Sequence, residues 1–553
     1  MTNMCSWAGD GWIKVMNILL EFTTHNYRTY HSAARRLKEL FPESRFAGTV
    51  GIAPGGDHAY NFLKNQTDIQ YEFLILRHEL TKAAFHDEID YEVLKVFEDR
   101  LPHKSLWRLV SADRQWGFAY VHGAYTKKTR ITDNANRENI LRTFSGLYKR
   151  LSKIFNDFNV DLFLPAMCIG SIDVYILEEI CREREIPYVV ANTARVKDYF
   201  VFASDVTMMT PHIDETYRDI LHGKRSVDLQ PAHRLYSDLI GSLGANLHVD
   251  QQHPVHQMVR NETMLWPRML YLCARAAGGA LRDWFKNSKL NRSEDIRGQR
   301  YALSTLLDNI RLAAGMPYQK YLFLRAGAGQ RPQPGEKYIY YPLHVNPEYS
   351  TNFQGTLWMN QLYTIELLSK SVPHDWTVCV KEHPAMFIAR VRPRAFYDKI
   401  RQFPNVRMVP VSMSGEELIR GSQMVAVVTG TTGWEAILHG KPVISFVDNY
   451  FDVLGLSAKF SNIRSFSLEI REELKRIATV SKEERERRVV CYLAAMLKHS
   501  FVPTYPMQLC NEPGTHKQYE TSGRELADAL VHYLEHIGYL NKIKEGASLV
   551  PLK

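Results

Sequence analysis

The segment from Thr429 to Pro442, TGTTGWEAILHGKP, places small polar residues directly before a helical pattern. Gly430 and Gly433 would let the backbone turn tightly and approach a ligand closely. The free N–H groups at the start of the following helix, together with the helix dipole, attract anions such as phosphate. The hydroxyls of Thr431 and Thr432 would add hydrogen-bond donors. These residue types predict an anion-binding loop at a helix N-terminus.

The same segment also permits a purely structural interpretation. Thr432 is followed three residues later by Glu435, which is the pattern of a capping box. Thr432 would then cap the helix, and Glu435 would accept a hydrogen bond from the Thr432 backbone N–H. Gly440 would end the helix and Pro442 would prevent its continuation. The residues alone leave the cap and the anion site both open.

Two further polar loops follow predicted strands. His383 and Pro384 come directly after the strand WTVCVK, and His344 and Glu348 follow the strand YIYYPL. A histidine in such a loop can hydrogen-bond a phosphate, and a proline fixes the turn that follows. The alternative is an ordinary polar loop beside a sheet.

In the first half of the chain, Asp173 and Arg195 are the candidates for chemistry. Asp173 lies where a strand gives way to the helix VYILEEI. A carboxylate there would act as a base or a nucleophile, or it would cap that helix. Arg195 follows the strand PYVVAN, and its guanidinium suits a carboxylate or a phosphate.

Strands and helices alternate around these residues. The first series contains predicted strands at 15–22, 45–53 and 105–112 and predicted helices at 30–41 and 136–158. A second series begins at 338 and contains the predicted strands YIYYPL, WTVCVK, MVAVVT and VISF, the last two at the two ends of the segment 429–442. Such alternation predicts parallel βαβ units. The predicted fold is therefore α/β, with two doubly wound Rossmann-type domains facing a cleft.

The length of 553 residues exceeds what a single hydrophobic core usually supports. We predict a first Rossmann-like domain at 1–325 and a second Rossmann-like domain at 326–480. A C-terminal helical tail at 481–553 would pack back on the first domain. Ligands of such sheets bind beyond the carboxyl ends of the strands, where the candidate residues lie.

Between residues 205 and 321 the pattern turns helical and basic. The stretch from Trp266 to Arg292 mixes apolar residues with arginine and lysine. It predicts either a helical insertion packed on its own domain or a helix that lies on a membrane surface.

Composition excludes several classes of protein. Hydrophobic residues make up 45% and charged residues 23%, as in ordinary globular proteins. No apolar run reaches the roughly 18 residues of a membrane-spanning helix, and we expect no signal peptide. The seven cysteines form no CxxC pair, and the histidines lack metal-ligand spacing, so we expect reduced thiols, a cytoplasmic location and no metal.

The formal net charge of +9 favours acidic partners such as phosphates, nucleotides or anionic lipid. No basic run is interleaved with aromatic residues as in nucleic-acid binders. We therefore expect no nucleic-acid partner.

Taken together, GTTGWEAILHGKPVISF, VCVKEHP and YYPLHVNPE resemble the donor site of GT-B glycosyltransferases. The fuller pattern is similar to the capsule polysaccharide biosynthesis family, which includes bacterial Kdo transferases that use a CMP-linked sugar. The resemblance implies a GT-B-like fold, with the acceptor side at 1–325 and the nucleotide-sugar donor domain at 326–480. It implies that residues 429–433 lie by the donor phosphates, with His383 and Pro384 beside them. It also implies that Glu435 holds the ribose and that His344 and Glu348 face the cleft.

The resemblance implies a glycosyltransferase that moves a sugar from a CMP- or UDP-linked donor to a surface or capsular polysaccharide or a lipid-linked acceptor. Asp173 and His383 would be catalytic, Arg195 would contact the acceptor or an anion, and no metal or other cofactor would be needed. A peripheral contact with the inner membrane would fit the charge. The alternatives are a nucleotide-sugar epimerase, a polyol-phosphate transferase, and a non-catalytic polysaccharide-assembly protein.

Overall fold

The computed structural model describes residues 16–51, 56–113, 136–167, 170–243, 266–290, 310, 330–346, 348–384, 386, 392, 394–505 and 514–544. The sequence also predicts a linker at 325–337, because this segment is rich in glycine and proline. Part of it, and three of the seven cysteines, lie outside the described residues. The four described cysteines are free thiols, as predicted: Cys181, Cys273, Cys379 and Cys491.

The first half of the chain forms a four-stranded parallel sheet with the order β3-β2-β1-β4. Its strands are β1 (Asn17–Phe22), β2 (Arg45–Val50), β3 (Tyr71–Leu76) and β4 (Leu162–Leu164). The helices of this half are α1 (Tyr27–Leu40), α2 (Gly56–Lys64), α3 (Arg77–Ala84), α4 (Tyr91–Arg100), α5 (Leu106–Ala112), α6 (Arg137–Phe158) and α7 (Asp173–Glu183).

One predicted strand of this half is wrong, because residues 105–112 form helix α5. Its buried residues Leu106, Leu109 and Val110 are spaced by three and four positions, which makes an apolar stripe on one side of a helix. In a segment this short, the run of apolar residues does not distinguish a strand from a helix.

A small antiparallel sheet follows, in the order β13-β6-β5. It joins β5 (Val190–Thr193) and β6 (Phe200–Ala203) to β13 (Ser500–Phe501) near the C-terminus. The sequence predicted β5 but neither of its partners. The helices that come next are α8 (Pro211–Leu221), α9 (Gln230–Gly241) and α10 (Trp266–Leu290).

The second large sheet has six parallel strands in the order β12-β11-β10-β7-β8-β9. Numbered within the sheet, this is the 6-5-4-1-2-3 order of a Rossmann fold. The strands are β7 (Lys337–Pro342), β8 (Trp376–Lys381), β9 (Val406–Met408), β10 (Met424–Val427), β11 (Val443–Ser445) and β12 (Ala458–Lys459).

Helices cover both faces of the second sheet, which gives the second half a layered α/β core. They are a π-helix (Ser350–Gln354), a 3-10 turn (Thr356–Met359), α11 (Gln361–Ser371), α12 (Arg394–Arg401), α13 (Gly415–Gly421), α14 (Thr431–Leu438), a 3-10 turn (Asp452–Leu454) and α15 (Phe466–Ala478). The predicted GT-B-like fold class of two Rossmann-type units is confirmed.

The C-terminal helices are α16 (Lys482–Lys498), α17 (His516–His536) and α18 (Tyr539–Lys544). Helix α16 shares a hydrophobic core with α8, α9 and the second sheet. Helix α17 lies along α1, and ion pairs cross this contact from Arg36 to Asp528 and from Arg524 to Glu39. The domain limits at 325 and 480 stay a prediction.

The contact between α1 and α17 leaves no room for a side chain at Gly523. A Cβ there would lie 2.4 Å from Ser32 Cβ and 2.7 Å from the Ala33 backbone nitrogen. We expect Gly523→Ala to lower the free energy of unfolding by about 1–3 kcal/mol, because the helices must move apart. Urea denaturation followed by circular dichroism measures this change.

The matched control is Gly241→Ala at the end of α9, where no atom of the described residues lies within 4 Å of the added Cβ. Its free energy of unfolding should stay within about 0.5 kcal/mol of the wild type. Equal stability of the two variants would show that α17 does not depend on a close approach to α1.

Candidate functional site

The candidate site lies where β7 and β10 end side by side. In chain order these neighbouring strands are the first and fourth of the second sheet. The strand order therefore proceeds outward from them in opposite directions. Such a switch point opens a crevice beyond the strand ends in open α/β sheets. His344 follows β7 and Thr429 and Gly430 follow β10, so the fold brings these predicted residues together.

Buried side chains fix the backbone of His344. Its N–H donates to Gln361 Oε1 at 2.7 Å, and its carbonyl accepts from Gln361 Nε2 at 3.1 Å. The same carbonyl also accepts a hydrogen bond from Arg392 Nη2. Gln361 and Arg392 are both buried, so the position of His344 is set from beneath the site.

The imidazole of His344 is held in one tautomer. Its Nε2 lies 3.2 Å from the backbone nitrogen of Val428, which can only donate, so Nε2 accepts and Nδ1 carries the proton. Burial lowers the pKa of His344 to about 3, and the charges of Arg392 and Arg195 act in the same direction. The ring is therefore neutral. Its Nδ1 lies 3.7 Å from the place where a Cβ on Gly430 would be.

A buried ion pair supports the neighbouring strand end. Glu382 follows β8 and accepts from Arg392 Nε at 2.9 Å and from the Tyr397 hydroxyl at 2.8 Å. Its other oxygen accepts from the backbone N–H of His383 at 2.8 Å. Arg392 thus ties the end of β8 to the end of β7. His383 is half-buried beside this pair, and Pro384 is buried after it.

The loop after β10 differs in one respect from the predicted capping box. Gly430 occupies the N-cap position of α14 with φ of 97° and ψ of −177°, and no side chain caps the helix. The capping box is therefore wrong, because Thr431 and Thr432 already lie inside the helix and Glu435 lies in its second turn. The predicted end is confirmed. Gly440 has φ of 72° and closes the helix.

A loop after β11 completes this side of the cleft. Asn449 Nδ2 donates to the Val428 carbonyl at 3.2 Å and to the Val447 carbonyl at 2.9 Å, which joins the loops after β10 and β11. The next residue, Tyr450, has a buried hydroxyl, as does Thr429. Within the described part of the chain, neither hydroxyl has a hydrogen-bond partner. Buried polar groups are normally satisfied, so these two mark a place for a polar ligand.

Arg195 approaches the same place from the first half of the chain. It has φ of 57° in the turn between β5 and β6. Its guanidinium carbon lies 5.9 Å from the Tyr450 ring centroid, and its Nη2 lies 3.4 Å from Gln354 Oε1. Within the described residues it forms no ion pair. A cavity lined by Asn192, Arg195, Thr210, Gln354, Asn449 and Tyr450 adjoins it.

The segment after His344 connects the two halves. Tyr349 and Phe353, at the π-helix, belong to the hydrophobic core of the first half, where Phe353 stacks on Tyr175 at 4.9 Å between ring centroids. Asn352 Nδ2 donates to the Ala112 carbonyl at 3.1 Å. The predicted loop is therefore partly helical. Glu348, at its start, is exposed.

Asp173 lies in a different environment, near the ends of β1 and β4. Arg77 forms ion pairs with both Glu21 and Asp173, and the Ser171 hydroxyl donates to Asp173. The carboxylate is buried, with a relative exposure of 4% for the residue. Helix α7 begins at Asp173 and Ile172 is its N-cap, so the alternative role as a helix cap is wrong.

Sequence reasoning missed Arg392, Gln354, Asn449 and Tyr450. Asn449 and Tyr450 follow a predicted strand, so the rule that found His344 would also have found them. Arg392 and Gln354 carry no such signal, because only the folded chain brings them to the site. Among the described residues, no group of three or more His, Cys, Asp or Glu side chains could hold a metal ion. No helix in the described segments is long and apolar enough to cross a bilayer.

These features define an α/β protein of two Rossmann-type units with a candidate anion site between them. Residues 331–481 match a family model described as capsule polysaccharide biosynthesis protein. The predicted resemblance to that family is confirmed for this segment, which contains the second sheet.

Curated proteins give no significant match to the chain. Among solved structures, the chain resembles KpsC of Thermosulfurimonas dismutans, a β-Kdo 2,7 transferase, at 11% identity and a TM-score of 0.30, over 70% of this chain and 89% of that one. It also resembles a UDP-GlcNAc 2-epimerase from Neisseria meningitidis at 10% identity and a TM-score of 0.21, over 87% and 100%. Scores this low carry no argument about function.

The Glu382–Arg392 pair should be essential for folding of the second half. Removing one partner leaves the other as an uncompensated buried charge, which costs about 3–5 kcal/mol. We expect Arg392→Gln to lower the free energy of unfolding by that amount in urea denaturation. Arg401→Gln is the control, because Arg401 pairs with Asp398 on the surface and its loss should cost under about 1 kcal/mol. Similar losses in both variants would contradict this role.

His344 should make the protein sensitive to acid. In the unfolded chain its pKa lies near the ordinary value of 6.5, whereas in the folded protein it is about 3. Below pH 6.5 the unfolded state therefore binds the proton first, and stability falls as the pH falls toward 3. The variant His344→Gln keeps a hydrogen-bond acceptor for the Val428 N–H. Between pH 7.5 and 5, we expect its free energy of unfolding to fall by about 1–2 kcal/mol less than that of the wild type.

Urea denaturation of both proteins at a series of pH values measures this difference. His212 and His499, whose pKa values are also lowered by burial, are common to both proteins and cancel in the comparison. Parallel stability curves over this pH range would show that His344 is not buried in its neutral form.

Proposed function

We propose that this protein is a metal-independent glycosyltransferase of the GT-B type. It would transfer a sugar from a CMP- or UDP-linked donor to a surface or capsular polysaccharide or a lipid-linked acceptor. The observation that carries the proposal is the convergence of three positive or donating groups at one switch point. These groups are the N-terminus of α14, the Nδ1–H of His344 and the guanidinium of Arg195.

These groups suit a diphosphate or monophosphate leaving group. When the glycosidic bond to the nucleotide breaks, negative charge develops on the phosphate oxygens. Donors that are already in place stabilise this charge without reorganisation. His344 is held by Gln361, Val428 and Arg392, so its N–H is fixed before the substrate arrives. The scheme requires no metal ion, and no other cofactor is proposed.

The remaining predicted residues take roles around this centre. Thr429, Gly430, Thr431, Thr432 and Gly433 would border the phosphates, and Glu435 would hold the ribose. The proximity of Glu435 to Tyr450, whose pKa is raised first by burial and then by the Glu435 charge, supports this role. His383, Pro384 and Glu348 would line the donor side.

Asp173 stays our proposal for the catalytic carboxylate. It would activate the acceptor hydroxyl as a base or attack the anomeric carbon as a nucleophile. Because Asp173 is buried in an ion pair with Arg77, either role requires a rearrangement that releases it when the acceptor binds.

A cytoplasmic reaction is part of the proposal, since nucleotide sugars would be the donors. A screen of CMP- and UDP-sugars by mass spectrometry tests it directly. Transfer to a glycan or lipid-linked acceptor, or slow donor hydrolysis, is the expected result. Conversion of the donor to its epimer would instead support an epimerase. If no nucleotide binds at millimolar concentration, the protein is an assembly factor without this chemistry.

Arg195 should be needed for donor binding rather than for folding. A charge-assisted hydrogen bond to phosphate is worth about 1.5–3 kcal/mol, so Arg195→Ala should weaken nucleotide binding by about 10- to 150-fold in isothermal titration calorimetry. Lys197→Ala is the matched control, because Lys197 lies two residues away and pairs with Asp238 on the surface. Equal affinities of the two variants would remove Arg195 from the donor site.

A further inference from the structure

Helix α10 exposes an apolar stripe to solvent. Among its described side chains, Leu270 is 52% exposed, Tyr271 is 62% exposed and Leu281 is 41% exposed. Ala274 and Gly278 lie between them and are exposed as well. Spacings of three, four and seven residues place all five on one side of the helix. The stripe therefore extends along several turns.

The residues on the other side of the helix are partly covered. Leu272, Cys273, Ala276 and Ala277 are half-buried, and none of the described side chains of α10 is fully buried. A surface helix normally turns its large apolar residues toward a core and its polar residues toward water. Helix α10 does the opposite with Leu270, Tyr271 and Leu281. Its exposed stripe needs an apolar environment from outside the described part of the fold.

Charge identifies the kind of environment. The sequence of α10 contains five basic residues and a single acidic one, Asp283. Of the basic residues with described side chains, Arg275 and Arg282 are exposed along one border of the stripe. Two copies of such a helix would repel each other, which disfavours self-association. An apolar stripe bordered by arginine matches a bilayer with anionic head groups.

We propose that α10 lies flat on an anionic lipid bilayer. With 25 residues the helix is about 37 Å long. Leu270, Tyr271 and Leu281 would enter the boundary between head groups and acyl chains. Arg275 and Arg282 would contact lipid phosphates. The proposal does not depend on the glycosyltransferase assignment, because no residue of α10 belongs to the candidate site.

Vesicle flotation with the full-length protein tests the proposal. One set of vesicles contains phosphatidylethanolamine and phosphatidylglycerol in a 2:1 ratio, and the other contains phosphatidylcholine alone. We expect the wild type to bind the anionic vesicles at least tenfold more strongly. The triple variant Leu270→Asp, Tyr271→Asp, Leu281→Asp should bind the anionic vesicles at least tenfold more weakly than the wild type. The double variant Arg275→Glu, Arg282→Glu should lose at least fivefold, with the residual binding insensitive to salt.

Matched controls use other exposed positions of the same types. Tyr91→Asp, Ile463→Asp and Leu468→Asp together change three residues that are 57%, 53% and 60% exposed. Arg234→Glu and Arg471→Glu reverse two exposed arginines elsewhere. Both control proteins should bind anionic vesicles like the wild type, and circular dichroism should show the same helix content in all variants.

Three results would overturn the proposal. One is a wild type that does not float with anionic vesicles at 0.1 M salt. Another is equal loss of binding in the α10 variants and their controls, which would indicate a general charge effect. The third is a dimer in analytical ultracentrifugation that only the triple variant abolishes, which would make the stripe an interface between copies of the chain. Nucleotide binding by calorimetry stays unchanged in every case, so failure here is distinct from failure of the proposed function.

Discussion

The ion pair between Glu382 and Arg392 is the interaction on which the candidate site depends. Both side chains are fully buried, and charges in such a place are tolerated only when hydrogen bonds satisfy them. Arg392 divides its donors between the carboxylate after β8 and the carbonyl of His344 after β7. His344 in turn accepts from Val428 at the end of β10. One buried cation therefore sets the relative positions of three strand ends.

The electrostatic character of the cleft follows from this arrangement. Glu382 is buried and engaged with Arg392 and Tyr397, so its negative charge is directed away from the cleft. The donors at the cleft are the N-terminus of α14, a neutral imidazole N–H and Arg195, and the Asp448 carboxylate also lines the adjoining cavity. Two buried hydroxyls without described partners, on Thr429 and Tyr450, lie in the same region. The convergence of these donors suits an anionic ligand.

Much of the second half of the chain could be predicted from sequence because its strands are apolar, short and followed by polar loops. β7, β8, β10 and β11 and helix α14 were all found in this way. The start of α14 was placed wrongly because the pattern of Thr432 and Glu435 imitates a capping box, whereas a glycine with positive φ forms the real cap. The sequence predicts a strand where helix α5 forms, because seven mostly apolar residues show too little periodicity to distinguish a helix from a strand. Arg392 was beyond prediction because its partners are ten and 48 residues away along the chain.

The segment between His344 and Gln354 is at once part of the candidate site and the connection between the halves. Its first residue lies under the helix N-terminus, its middle inserts Tyr349 and Phe353 into the core of the first half, and its last residue contacts Arg195. A rotation of one half against the other would therefore move the Arg195 guanidinium relative to α14, whereas Gln361, Arg392 and Val428 hold His344 to the second half. The packing of the two halves and the position of Arg195 at the candidate site thus depend on the same short segment.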